Sequence, residues 1–114
     1  MLKFKSQLLM FFTAVKIRLE HGWTKHSMAI NERGLTCAYD DPDATAWCWL
    51  GAIAAENHFF PKKEPDMDRE YLGVMRAVTP GPEHNPINFN DHPKTTQNDM
   101  LQLVQAAIAY CQTH

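Results

Sequence analysis

The sequence predicts a mainly α (α+β) fold: four helices packed around a central helix at 43–58, with one small β-hairpin near 27–39. Three observations predict it. The run from Ala44 to Ala55 is strongly apolar and well bounded, with Asp40, Asp41, Pro42 and Asp43 before it and Glu56, Asn57 and His58 after it. Residues 3–21 carry one apolar stripe at helical spacing. Two short alternating segments flank Asn31-Glu32-Arg33-Gly34.

Taken in order, Phe4, Leu8, Phe11, Val15 and Leu19 recur every three or four residues, which marks one helix face. Leu9, Phe12 and Ile17 widen that face. Such a helix is buried deeply or meets a second copy of the chain, so a homodimer through helix 3–21 is one expectation. Gly22 suits a left-handed cap. Met28 and Ile30, then Leu35, Cys37 and Tyr39, alternate as in strands, and Gly34 supplies the positive φ of a hairpin connection. A hairpin alone is marginal in water, so this one must pack on helices.

Asp43 is the expected N-cap of the central helix. Trp47, Leu50, Gly51, Ala54 and His58 fall on one face, Trp49, Ile53 and Asn57 on another, so neighbours should lie on both sides. Gly51 costs roughly 1 kcal/mol of helix propensity relative to Ala. That cost makes sense where another backbone, most simply a neighbouring helix, packs closely. Pro61 to Pro65 reads as a polar loop, and a third helix opens at Asp66 or Asp68 and runs to Val78. Residues 79–86 hold three prolines and cannot be helix or central strand. Ile87-Asn88-Phe89 reads as a short extended piece. Thr95 or Thr96 caps a last helix carrying Met100, Leu103, Val104, Ala107, Ile108 and Cys111.

Composition narrows the function classes. The chain has 114 residues and 45% hydrophobic content, enough for one globular domain over 1–114 with a packed core. The net charge of −2 gives no electrostatic case for nucleic acid. Charge is uneven, positive over residues 1–34 and negative over 35–114, as two parts facing each other would be. Cys37, Cys48 and Cys111 show no paired spacing, which fits a reduced, cytoplasmic protein. The apolar run after Lys3 and Lys5 is too short to span a bilayer, and with no small-residue cleavage site it does not read as a signal peptide. No membrane partner is expected.

His21-Gly22-Trp23 after the first helix, Trp47-Cys48-Trp49-Leu50-Gly51-Ala52, and Asn90-Asp91 before a threonine-capped C-terminal helix form a pattern through nearly the whole chain. In this it resembles an uncharacterised, domain-of-unknown-function family of small proteins frequent in actinobacteria and tailed phages. Phe89 stands where that family more often has tryptophan. The resemblance carries no activity with it. It implies that His21, Trp23, Trp47, Cys48, Asn90 and Asp91 belong together, and a phage or bacterial cytosol as the setting.

Cys48 near a helix start is the strongest nucleophile candidate, because a helix dipole lowers a thiol pKa. A hydrolase would need His84 or His92 as base, His92 being the better placed beside Asp91, with Asp91 or Asn90 orienting the imidazole. The glycine-rich lead-in and the sheet to carry the histidine are lacking, and a cysteine between two tryptophans is more simply a small hydrophobe. The six histidines show no HxxxH or HxH spacing, so no metal is expected. No phosphate-binding or dinucleotide glycine pattern occurs, so no cofactor is expected. Tryptophans can stack bases, but core packing is the better reading here. Asn90-Asp91 reads first as a local device shaping the turn into the last helix. The expectation is a non-enzymatic interaction module, a phage or mobile-element accessory factor acting on a host protein, with His21, Trp23, Asn90 and Asp91 as candidate binding residues. The alternative is a small cysteine hydrolase or transferase using Cys48.

Overall fold

The computed structural model describes residues 1–59 and 65–114. Its elements run α1 (Lys5–His21), β1 (Ala29–Asn31), β2 (Thr36–Cys37), β3 (Ala44–Trp47), α2 (Trp49–Phe59), α3 (Pro65–Val78), α4 (Pro86–Asp91) and α5 (Gln97–Thr113). The α+β class is the one read from the sequence. The loop expected from Pro61 lies outside the described residues.

The core forms where α1 lies along α5. Leu8, Phe11, Phe12, Val15 and Leu19 of α1 are buried against Met100, Leu103, Val104, Ala107 and Cys111. The breadth of the α1 stripe is thus used inside one chain, by α5 on one side and by α2 and Tyr71 of α3 on the other. Met10 and Ile17 alone among its large apolar side chains stay exposed. No side chain at its own start caps α1. Instead Glu70 reaches across from α3 and accepts the N–H groups of Lys3 and Phe4, each at 2.7 Å. At the far end Thr96 and Asp99 form a reciprocal capping box on α5.

The hairpin is present, with Ala29 opposite Cys37 and Ile30 opposite Thr36. A third strand extends it. Residues 44–47, expected as the first turn of the central helix, pair antiparallel with β1 in the order β2-β1-β3. Asp43 therefore caps nothing, and the helix begins at Trp49. Alanine is the best helix former, but propensity is a weak preference that tertiary pairing overrides. Backbone pairing with β1, supported by the Thr45 hydroxyl, which donates to the Ile30 carbonyl at 3.4 Å, outweighs that preference.

Two glycines make the crossings possible. Gly22 is extended (φ −173°), so it is no left-handed cap. A Cβ there would stand 2.1 Å from the Thr45 carbonyl oxygen of β3. A Cβ on Gly51 would stand 1.8 Å from the carbonyl oxygen of Met28. The close neighbour of Gly51 is thus the segment entering β1, not another helix. The segment 87–89 is also helical rather than extended. Asn85 accepts the N–H groups of Ile87 and Asn88, and Pro86 occupies the first turn of α4, where a missing N–H costs nothing.

Candidate functional site

The motif residues converge on Asn90. The chain leaves α1 at Gly22 and runs beside β3, where the Trp47 N–H donates to the Gly22 carbonyl (3.1 Å) and the Thr24 N–H to the Trp47 carbonyl (3.2 Å). This bridge brings Trp23 and Trp47 together. The short helix α4 then delivers Asn90, which is 1% exposed. Its Oδ1 accepts from Trp23 Nε1–H at 2.8 Å and from the Trp49 backbone N–H at 3.0 Å. Its Nδ2 donates to the Thr24 carbonyl at 3.3 Å and to Asp91 Oδ1 at 3.0 Å. An amide has two acceptor and two donor positions, and all four are used.

This arrangement explains the start of α2. The first N–H groups of a helix have no partner within it. Asn90 satisfies that of Trp49 from 41 residues away. Cys48 satisfies that of Gly51, its Sγ accepting at 3.3 Å. Asn90 is therefore a long-range staple joining three segments, not the local turn device expected from the sequence. Local shaping of that turn falls to Thr95, whose hydroxyl donates to the Phe89 carbonyl at 2.6 Å.

Cys48 is buried, at 8% exposure. Burial pushes its thiol up, and the charge of Asp91 adds to the rise, while the N–H groups of Gly51 and Leu50 only partly oppose them. Desolvation thus outweighs the helix start. Among the described residues no imidazole is hydrogen-bonded to Cys48. His92 is exposed, and its Nδ1 accepts from the Lys94 N–H at 3.1 Å. The imidazole beside Asp91 is instead that of His26, with Nδ1 4.0 Å from Oδ2, and the His26 N–H donates to Oδ1 at 3.1 Å. His26 has φ 65°, in the left-handed region, and no sequence pattern singled it out. His21 is exposed at the rim, its ring 6.3 Å from that of Trp47. Arg18 covers Trp47 from above, 4.5 Å from the ring, and its Nε–H donates to Glu56 at 2.8 Å.

The family model for DUF6197, a family of unknown function, matches residues 12–110. The chain belongs to this family. No curated protein and no solved structure matches it significantly. Within this DUF6197 chain, the matched span contains every motif residue of the Asn90 staple.

A second region has a different character. Between α2, α3 and residues 83–87 lies an open cavity of about 390 Å³. Trp49, Ile53 and Met75 form its buried apolar floor. Leu50, Leu72 and Ile87 stand at its edge, 41%, 61% and 39% exposed. Tyr71 reaches into it, and its hydroxyl accepts from Trp49 Nε1–H at 3.1 Å. Burial pushes that phenol to about 12, against the lowering effect of the Trp49 bond. One hint of this groove lies in the sequence. Tyr71 and Leu72 are adjacent apolar residues on an amphipathic helix, and successive side chains do not share a face. Among the described residues, no three His, Cys, Asp or Glu side chains gather as a metal-binding group, and no helix is long and apolar enough to cross a membrane.

Proposed function

We propose that this chain is a non-enzymatic protein-interaction module that binds through the groove between α2 and α3. One observation carries the reading. Leu50, Leu72 and Ile87 come from three separate helices, yet their exposed apolar surfaces meet around one concavity. Exposed apolar surface gathered in a groove marks an interaction site more often than scattered residues do. The polar motif residues are less suited to the task, because Asn90 has no free hydrogen-bonding position and Cys48 is buried and capped. The motif resemblance supports a phage or bacterial setting, with a host protein as the partner.

The test is capture of a partner from bacterial lysate on immobilised protein. A band retained by the wild type and by Ile17→Glu, but lost with Leu72→Glu, supports the groove. A band lost with Asp91→Asn and kept with Leu72→Glu moves the binding site to the staple and refutes the reading.

A further inference from the structure

Resting on that groove as the binding site, we infer the chemistry of its occupant: a partner segment that presents an apolar side chain with a carboxylate beside it. The apolar half follows from the floor of Trp49, Ile53 and Met75. The carboxylate follows from the polar groups at the rim, which are predominantly donors. Arg76 is exposed and makes no ion pair among the described residues. Asn85 spends its Oδ1 on the N–H groups of Ile87 and Asn88, which leaves Nδ2 to donate. The Tyr71 hydroxyl already accepts from Trp49, so the proton it still carries is available to a ligand acceptor. His84 Nδ1 lies 2.9 Å from the Thr79 carbonyl. A carbonyl can only accept, so the Nδ1 proton is spent there and His84 adds no free donor at that atom. The one carboxylate at the rim, Glu83, keeps its charge while accepting from Asn88 Nδ2 at 2.5 Å, but among the described residues it makes no ion pair with Arg76, whose guanidinium stays open to a ligand. A cation with donors beside it, over an apolar floor, complements an anion attached to an apolar group.

The probes are the blocked peptides acetyl-Ala-Leu-Leu-Glu-amide and its Gln counterpart, titrated to millimolar concentration into ¹⁵N-labelled full-length protein. The inference predicts shifts at the amides of Leu50, Leu72 and Ile87, with the Glu peptide binding about threefold tighter, as a solvent-accessible ion pair allows. Arg76→Gln should remove the preference for Glu while the remaining apolar binding persists. Arg76 is exposed, so this variant should fold. Equal binding of the Glu and Gln peptides would overturn the carboxylate and leave the groove standing. Absence of groove shifts with both peptides would overturn the groove as well. Hexanoate is the control for a small free acid: saturation by hexanoate with no peptide binding would overturn a protein segment as the occupant.

Discussion

The Asn90 staple and the α2–α3 groove are neighbours, since Trp49 takes part in both, but they are built on opposite principles. The staple gathers polar groups from residues 23–26, 48–49 and 90–91 and satisfies them internally. The groove gathers apolar groups from α2, α3 and α4 and leaves several exposed. Residues that look chemical in a sequence, such as Trp-Cys-Trp and Asn-Asp, are here consumed in holding elements together. Residues that look bland, such as Leu72 and Ile87, form the surface open to a partner. A buried polar group is costly without partners, so a fully satisfied one is usually architectural.

The sharpest consequences concern the backbone crossings that create the staple. Gly51→Ala places a Cβ against the Met28 carbonyl, and Gly22→Ala does the same against Thr45. Each should cost about 3 kcal/mol or more, at the upper end of overpacking penalties, as measured by urea denaturation. A melt unchanged by Gly51→Ala would mean that β1 and α2 do not cross so closely. Trp23→Phe keeps an aromatic ring but removes the indole N–H from Asn90 along with part of the ring volume, and should cost about 1–2 kcal/mol or more.

Cys48→Ala should cost on the order of 1 kcal/mol, from lost packing and the lost contact to the Gly51 N–H. In the folded protein iodoacetamide should reach the less buried Cys37 before Cys48 and Cys111. Fast, selective labelling of Cys48 would reopen the hydrolase alternative.

Tyr71 supplies the pH dependence that distinguishes the groove. A phenol near 10 when unfolded and about 12 when folded stabilises the fold fully below pH 10. That contribution declines as the pH rises through 12, because the unfolded state ionises first. The wild type should therefore lose stability relative to Tyr71→Phe between pH 10 and 12, followed by circular dichroism. The smallest effect on stability belongs to Leu72→Glu. Its side chain is mostly exposed, so the change should stay within about 0.5 kcal/mol while groove binding is lost.

The legible parts of this chain were those with local causes. The α1 stripe, the hairpin around Gly34 and the Thr96 cap each follow from residues a few positions apart. The parts that misread depend on partners far along the chain. Residues 44–47 are a strand because β1 has an open edge, and nothing within Ala44-Thr45-Ala46-Trp47 announces that. Gly22 and Gly51 both signalled something unusual. The sequence could not show that the reason was a carbonyl from a distant segment. His26 entered the staple through its backbone N–H and its place beside Asp91, neither of which has a sequence signature. The groove was illegible for a related reason: periodicity shows which helix positions are apolar, not which of them remain uncovered.

The most direct test of the division between staple and groove is the free energy of unfolding of Asn90→Ala. The substitution leaves the Trp23 Nε1–H and the Trp49 N–H without their acceptor and the Thr24 carbonyl without its donor. Unmet buried groups cost about 1–3 kcal/mol each, and they share one cavity here, so the account predicts a loss on the order of 3–5 kcal/mol. Stability within about 0.5 kcal/mol of the wild type, the range of an ordinary surface change, would show that Asn90 is not architectural and would contradict the account.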